Sequence, residues 1–244
     1  MGALDGKTFI VTGASSGFGE AIALACAEAG ARVSLMARRK ELLERVADAA
    51  RSLNPDARAL VCPADVSDDA QVFAALEQTR AAFGPIDVLV NNAGFNHTER
   101  SIADTSAEQW RELLEVNLTS AFVFTKAVLP EMKERGDGLI INLASRAGMY
   151  PSLLAGVGYS ASKIGMEALN TVTNEEGNPY GVRASLVNPG AGNTPIMARR
   201  PVQPNADQKA LMIQSEDIAA TVVFLASLPP RVHIDFLSIM PTQN

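Results

Sequence analysis

The chain has 244 residues, of which 47% are hydrophobic and 5% aromatic, and its formal net charge at pH 7 is −6. This length fits one α/β domain over residues 1–244 and excludes a full-size cofactor domain next to a separate catalytic domain. The negative charge excludes a global positive field that would attract nucleic acid or an anionic membrane surface.

Short apolar runs alternate with stretches of helical periodicity along the whole chain. This alternation predicts an α/β fold, a doubly wound parallel sheet of about seven strands in a three-layer αβα arrangement. We predict strands at 8–12, 32–36, 59–61, 88–90, 138–142, 183–187 and 236–239. Helices are predicted at 17–29, 40–53, 68–83, 106–135, 159–174 and 215–226. Ser67 and Ser106 are predicted as N-caps of the third and fourth helices.

The first strand runs directly into a glycine-rich turn and a helix. Gly13, Gly17 and Gly19 would let the backbone approach a pyrophosphate, and the helix N-terminus carries a partial charge of about +0.5. The pattern predicts a Rossmann-type dinucleotide site, although glycines also serve tight strand-to-helix packing. Further contacts are expected from the other residues of the turn, Ser15, Ser16 and Phe18.

The end of the second strand indicates which dinucleotide is bound. A carboxylate there would hydrogen-bond the ribose 2′-hydroxyl and repel a 2′-phosphate, but the sequence has Ala37 followed by Arg38 and Arg39. A guanidinium fork suits phosphate, so we predict NADP(H) rather than NAD(H). The alternative is a solvated helix start, although cations there oppose the helix dipole.

Four residues form a candidate catalytic group. Tyr159 and Lys163 lie four residues apart on one face of a predicted helix, and a nearby ammonium favours a phenolate. We therefore expect Lys163 to lower the pKa of Tyr159. Ser145 follows an apolar strand and can hold a substrate oxygen. Asn117 lies in a helical pattern, either as the site of a water relay to Lys163 or as a surface residue.

The glycine-rich turn and the candidate catalytic group together resemble the short-chain dehydrogenase/reductase family, and the resemblance extends from Thr12 to Gly190. The resemblance rests on the spacing Thr-Gly-xxx-Gly-x-Gly and on the Asn–Ser–Tyr–Lys set. It implies hydride transfer between the nicotinamide and a carbonyl or carbinol carbon, with Tyr159 as general acid–base. It further implies that Tyr159 and Lys163 contact the cofactor, together with Asp65, Val66, Asn91, Ala93, Gly94, Pro189, Gly190 and Thr194.

The family usually has Val or Ile where this chain has Gly192, so we expect a more pliable edge of the nicotinamide pocket. Residues 228–242 resemble the tail of a subgroup that includes NADP-dependent 3-hydroxy acid dehydrogenases, and a small polar or carbonyl substrate is expected. Arg146 or Arg199 is a candidate partner for a substrate carboxylate. The candidate substrate-pocket residues are Ser145, Tyr159, Phe95, Arg146, Met149, Tyr150, Leu153, Leu154, Met197, Arg199 and Arg200.

Three functions remain open from the sequence. The first is an NADP(H)-dependent oxidoreductase acting on an alcohol or carbonyl, the second a 3-oxoacyl-carrier-protein reductase-like enzyme, and the third a dinucleotide-binding sensor without turnover. Residues 188–205, with four prolines, are either a functional lid or a surface loop. The resemblance implies a homo-oligomer, a tetramer or dimer, built on the helices at 106–135 and 159–174.

Other partners are limited by composition. Two cysteines, Cys26 and Cys62, without C-x-x-C spacing argue against a disulfide framework or a metal site and for a cytoplasmic setting. No window of about 18 uncharged apolar residues and no signal sequence is evident, so no membrane partner is expected.

Overall fold

The computed structural model describes residues 2–243 and contains a seven-stranded, entirely parallel sheet. The strands lie in the order β3-β2-β1-β4-β5-β6-β7. This confirms the predicted doubly wound α/β fold, and each predicted strand is present. The strand bounds are β1 Thr8–Thr12, β2 Arg32–Ala37, β3 Arg58–Pro63, β4 Val88–Asn91, β5 Gly138–Leu143, β6 Val182–Pro189 and β7 Phe236–Ile239.

Helices cover both faces of the sheet. One face packs against α1, α2 and α9, and the other packs against α3, α5 and α7. The central residues of strand β1 are all apolar because Phe9 and Val11 enter one core while Ile10 enters the other. The helix bounds are α1 Gly17–Glu28, α2 Lys40–Leu53, α3 Asp69–Phe83, α4 Ala107–Leu114, α5 Ser120–Arg135, α6 Arg146–Met149, α7 Val157–Gly177, α8 Ala206–Ala210 and α9 Ser215–Ser227.

The two predicted N-caps have different outcomes. Ser106 caps α4 in a reciprocal capping box with Gln109, as predicted. The prediction of Ser67 is wrong, because Asp68 caps α3 by accepting a hydrogen bond from the Gln71 backbone N–H at 3.1 Å. The Ser67 hydroxyl instead donates to Asp65 Oδ1 at 2.7 Å, which stabilises the turn after β3.

The helix predicted at 106–135 is divided by one π-helical turn, Glu115–Thr119, between α4 and α5. Within residues 2–243 this is the one helical stretch long and apolar enough to cross a membrane by length and composition. Its apolar residues Phe124, Val128 and Met132 are fully buried against the sheet, so they serve as core. The π turn places Asn117 inside the protein rather than on its surface.

Helix α7 extends past its predicted end at Asn174 to Gly177. The side chain of Asn174 is buried and forms two hydrogen bonds with Ala184 in β6, accepting from its N–H at 2.7 Å and donating to its carbonyl at 2.8 Å. Strand β6 pairs with β7 only from Leu186 onward, and at Ala184 the Asn174 amide takes the place of that backbone partner. Asn174 therefore joins the helix to the sheet.

The segment that crosses the carboxyl edge of the sheet is only partly irregular. Strand β6 continues to Pro189, Gly192 forms an isolated parallel bridge with Ile213, and a 3-10 turn covers Pro195–Arg199. We call residues 195–204 the lid, because most of them line the cleft described next.

Candidate active site

A cleft of about 960 Å³ opens where the parallel strands end, the usual ligand position in open α/β sheets. It is lined by the segments after all seven strands. The sequence-predicted residues that meet there come from both the nucleotide and the catalytic sets. They are Gly13, Ser15, Ser16, Gly17, Phe18, Arg38, Arg39, Asp65, Val66, Ala93, Gly94, Ser145, Tyr159, Lys163, Pro189, Gly190 and Thr194.

The glycine turn is shaped by two left-handed residues, Gly13 with φ +68° and Gly17 with φ +58°. A Cβ on Gly17 would lie 3.3 Å from Thr194 Cβ, so the segment after β6 closes over the turn. Gly19 does not line the cleft. A Cβ there would overlap the Gly13 carbonyl, so this glycine lets α1 pack against the turn.

Two arginines stand at the rim of the cleft beside the glycine turn. Arg39 Nη2 donates to Ser15 Oγ at 3.3 Å, while Arg38 Nη1 lies 3.9 Å from Asp65 Oδ2. The Arg38 side chain is 77% exposed, and such a long, exposed ion pair contributes little to stability. Both guanidinium groups are therefore available to a phosphate at this rim.

Asn91 lies beneath the cleft rather than in it, which differs from the expected cofactor contact. Its Nδ2 donates to Asn142 Oδ1 at 2.8 Å, joining neighbouring strands. The next residue, Asn92, lines the cleft and donates from Nδ2 to the Thr12 carbonyl at 2.8 Å. The sequence motif Asn-Asn contains both residues, but only the fold tells which one faces the cleft.

Tyr159 and Ser145 bring two hydroxyl groups into the cleft. Ser145 caps α6, and its hydroxyl accepts a hydrogen bond from the Ala147 backbone N–H at 3.1 Å. Desolvation raises the pKa of Tyr159, while the nearby Ser145 hydroxyl and the positive charge of Arg100 oppose that rise. At neutral pH Tyr159 is therefore a phenol, ready to donate a proton.

Lys163 is buried one helical turn beyond Tyr159. Its ammonium donates to the Leu143 carbonyl at 2.7 Å and lies 5.7 Å from the centroid of the Tyr159 ring. Burial lowers the pKa of Lys163 to about 8. The lowering of the Tyr159 pKa by Lys163 stays a prediction. Arg100, which sequence reasoning missed, is a second cation, and its charge lowers the Tyr159 pKa.

Asn117 is almost fully buried, so its interpretation as a surface helix residue is wrong. Its amide pairs with the backbone of Phe95, accepting from the N–H at 2.9 Å and donating to the carbonyl at 3.0 Å. A Cβ on Gly94 would lie 3.2 Å from Asn117 Oδ1 and 3.7 Å from Lys163 Nζ. Asn117 thus lies directly behind the cleft wall near Lys163, in a π turn of the kind frequent at functional sites.

The substrate end of the cleft is rich in arginine. The predicted residues that line it are Phe95, Arg146, Tyr150, Leu154, Met197, Arg199 and Arg200. Met149 and Leu153, both in the described part of the chain, do not line it, because the short helix α6 and the loop after it direct them elsewhere. Residues that sequence reasoning missed also line it, namely Asn96, Arg100, Met240, Pro241 and Gln243.

Gly192 does not open the pocket edge, which corrects the expected pliability. A Cβ on Gly192 would overlap the end of the Phe18 ring. The ring, carried by the glycine turn, thus occupies the space that a side chain at position 192 would fill. Phe18 and Gly192 form one packing unit across the cleft.

We expect the Gly192→Val and Phe18→Ala substitutions to compensate each other. The valine alone overpacks this unit, at a cost of about 1–3 kcal/mol, and the alanine alone leaves a cavity. The free energy of unfolding that the double variant loses should be smaller than the sum of the two single losses, by about 1 kcal/mol or more. Urea unfolding of the four proteins measures this coupling, and strict additivity would contradict the packing described here.

Comparison with known proteins decides the family. A family model described as short chain dehydrogenase matches residues 7–205, which include the glycine turn and the Asn117, Ser145, Tyr159 and Lys163 set. The chain belongs to the short-chain dehydrogenase family. As a short-chain dehydrogenase it is an oxidoreductase by family.

Three similar proteins illustrate the range of this short-chain dehydrogenase family. A 3alpha-hydroxysteroid dehydrogenase of Mediterraneibacter gnavus is 34% identical over 234 residues, 92% of this chain and 91% of that protein. The structure of a metagenomic short-chain oxidoreductase in complex with NADP has a TM-score of 0.85 at 33% identity, covering 99% and 100% of the two chains. An alcohol dehydrogenase from Thermococcus sibiricus, complexed with 5-hydroxy-NADP, has a TM-score of 0.87 at 30% identity, covering 98% and 97%.

Proposed function

We propose that this chain is an NADP(H)-dependent oxidoreductase that interconverts an alcohol and a ketone or aldehyde. The observation that carries the proposal is the convergence of Tyr159, Ser145 and Lys163 with the glycine turn and two rim arginines in one cleft. The NADP and 5-hydroxy-NADP found with two similar structures support the choice of cofactor.

The residues present fit a dinucleotide with a 2′-phosphate. Ser16, the N-cap of α1, makes no side-chain capping hydrogen bond, so the first N–H groups of that helix are free for a pyrophosphate. Arg38, Arg39 and Ser15 would hold the 2′-phosphate. The remaining proposed contacts are Gly13, Gly17, Phe18, Asp65, Val66, Ala93, Gly94, Tyr159, Lys163, Pro189, Gly190 and Thr194.

When bound, NADPH supplies the hydride, and the protein supplies the proton and the geometry. In reduction the Tyr159 hydroxyl donates its proton to the substrate oxygen, and in oxidation it takes the proton back. Ser145 holds the same oxygen and stabilises charge that develops on it. Lys163 binds the nicotinamide ribose, and Asn117 holds a water that relays protons to Lys163.

We further propose that the substrate is a small hydroxy acid or a related carbonyl. Arg146, Arg199 and Arg200 line the end of the cleft that holds Tyr159. The guanidinium of Arg146 lies 5.3 Å from the Tyr150 ring centroid, and that of Arg199 lies 5.6 Å from the Phe95 ring centroid. Guanidinium groups held in this way can bind a carboxylate through two hydrogen bonds.

The test is the oxidation of NADPH and of NADH with a panel of aldehydes, ketones and oxo acids, each acid paired with its methyl ester. We expect turnover with NADPH and a preference for acids over esters. A preference for esters would contradict the proposed substrate class. Binding of NADPH without turnover of any compound would favour a dinucleotide sensor.

Cofactor choice has its own test in the double substitution Arg38→Ala/Arg39→Ala. Charge-assisted hydrogen bonds contribute about 1.5–3 kcal/mol each, so we expect NADPH to bind at least about tenfold more weakly while NADH binding changes little. Fluorescence titration with both cofactors measures the ratio. Lys40→Ala is the matched control, since Lys40 is exposed next to this pair and faces Glu44. An unchanged ratio in the double variant would exclude the assigned phosphate site.

We also propose a homo-oligomer, a tetramer or dimer, that covers apolar side chains on α5 and α7. Phe122 on α5 and Ile164 and Val172 on α7 are each about half exposed, at 50%, 44% and 51%. Size-exclusion chromatography with light scattering measures the mass. A monomer at micromolar concentration would contradict this assembly.

A further inference from the structure

Arg100 is a buried arginine in the loop between β4 and α4, and only 9% of its surface is exposed. Its hydrogen-bond acceptors are three backbone carbonyl oxygens, and its Nε has no partner. Burying a charged group is costly unless hydrogen bonds and other interactions compensate for the lost water. A charged side chain buried at this cost points to a role in holding other segments of the protein in place.

The guanidinium of Arg100 joins two segments that are far apart in the chain. Nη1 donates to the carbonyls of Leu154 at 2.8 Å and Ala155 at 3.1 Å, just before helix α7. Nη2 donates to the carbonyl of Arg199 in the lid at 2.7 Å. One planar group thus fixes the lid to the segment that precedes Tyr159.

The backbone of Arg100 holds the same segment. Its carbonyl accepts a hydrogen bond from the Val157 N–H at 3.2 Å. Gly156, with φ +86°, packs so closely that a Cβ there would lie 2.9 Å from Arg100 Cδ. The start of α7, two residues before Tyr159, is therefore built around Arg100.

Charged groups from several elements line the same cleft as Tyr159. Arg100 acts from the β4–α4 loop and lowers the pKa of Tyr159, against the rise caused by burial. Lys163 lies on the same helix as Tyr159, and Arg200 of the lid acts on Arg100. Burial and Arg200 lower the pKa of Arg100, while Tyr159 and Glu99 raise it. An arginine stays protonated throughout the neutral range, so this charge is permanent.

We propose that Arg100 is a positioning residue that holds the lid over the cleft and places a permanent positive charge in the cleft that Tyr159 also lines. The same side chain therefore couples covering of the cleft to the state of the proton donor. The importance of this coupling for turnover rests on the proposed role of Tyr159, but both structural effects exist without it.

The charge is tested by titrating tyrosinate absorbance in the full-length protein. The chain has three tyrosines, and subtracting the titration of Tyr159→Phe isolates Tyr159. We expect a higher midpoint in Arg100→Met, because the charge is lost, and also in Arg100→Lys, because a buried lysine has released its proton at the alkaline pH where Tyr159 titrates. An equal midpoint in all proteins would overturn this half of the proposal.

The tether is tested by limited trypsin digestion at the Arg199–Arg200 bond, followed by mass spectrometry. Both Arg100→Met and Arg100→Lys lose the three-way geometry, and we expect cleavage to become roughly tenfold faster, the effect of one lost charge-assisted hydrogen bond. Cleavage after the exposed Arg51 is the internal reference. Arg111→Met, an exposed site on α4, is the control variant.

Cleavage at the wild-type rate in both variants would overturn the tether. Faster cleavage with no change in the Tyr159 midpoint would reduce Arg100 to a purely structural contact and overturn the coupling. If Arg100→Met fails to fold by circular dichroism, the proposal still stands or falls on Arg100→Lys, which must both cleave faster and titrate Tyr159 at a higher midpoint. Neither readout needs turnover, so failure of the proposed function is distinguishable from failure of this inference.

Discussion

Replacing Tyr159 with Phe is expected to lower kcat for carbonyl reduction by about 10²–10⁴-fold, the usual contribution of a positioned general acid. The substitution removes the Tyr159 hydroxyl from the cleft that Ser145 also lines but keeps the ring on its helix. Because burial keeps Tyr159 protonated at neutral pH, the wild-type enzyme has its proton in place before the substrate arrives. The measurement is steady-state NADPH oxidation with the best substrate of the carbonyl panel.

The control for this prediction is Tyr180→Phe. Tyr180 lies in the 3-10 turn after α7, with its ring 4.4 Å from the Lys133 ammonium, and takes no part in the cleft. Its kcat should remain within about twofold of wild type. NADPH binding should weaken by no more than about tenfold in Tyr159→Phe, the effect of one lost hydrogen bond, and stay unchanged in Tyr180→Phe, so the loss of kcat is distinguishable from a loss of cofactor affinity. If Tyr159→Phe turned over as fast as Tyr180→Phe, the assigned mechanism would be wrong.

Local features of this chain were predictable from sequence because their causes are local. Strand β1 has an apolar centre and is buried at every position, since a parallel strand is buried on both faces, and its bounds are those expected. Gly13 and Gly17 have the left-handed conformation that a turn of this kind requires. By contrast, Ser67 and Asp68 are both good capping residues, so only the backbone path after β3 decides between them.

Features that depend on distant contacts were not predictable in the same way. The three acceptors of Arg100 lie 54 to 99 residues along the chain, and nothing near Arg100 indicates them. The π turn at Asn117 follows from its pairing with Phe95, a loop residue on another segment. The packing of Phe18 against Gly192 did have a sequence signal. The glycine turn carries a large aromatic residue, Phe18, and position 192, where the family usually has Val or Ile, has no side chain.

The difference between local and distant causes also explains which residues at the substrate end of the cleft could be predicted from sequence. The helical pattern around Tyr159 and Lys163 places both in the cleft, whereas the four-residue helix α6 is too short to give a periodic signal. Arg146 and Met149, at the two ends of that helix, were equal candidates by sequence. The fold brings Arg146 to the cleft and directs Met149 away from it.

Lys163 gives the second large effect, a gain of stability with rising pH. Its pKa falls from the ordinary value of 10.5 to about 8 because burial disfavours the ammonium. Below pH 8 both the folded and the unfolded chain carry the proton, so the full penalty of the buried charge is present. Between pH 8 and 10.5 the folded protein releases the proton first. The unfolded chain then binds more protons, and the free energy of unfolding rises with pH.

The expected size follows from the same shift. A difference of about 2.5 units corresponds to about 3 kcal/mol, which Lys163→Met avoids at every pH. The variant also loses the hydrogen bond to the Leu143 carbonyl, at a pH-independent cost of about 1 kcal/mol. We therefore expect Lys163→Met to be the more stable protein at pH 7 and to lose that advantage towards pH 10.5.

Urea unfolding at a series of pH values measures this crossover, and Lys40→Met is the matched control because the Lys40 ammonium remains largely in water. Its free energy of unfolding should run parallel to that of wild type. A parallel course for Lys163→Met as well would mean that Lys163 carries no penalty in the folded state. A crossover would show that the chain retains a destabilising charge beside Tyr159, which is expected where binding the nicotinamide ribose requires an ammonium in a dry site.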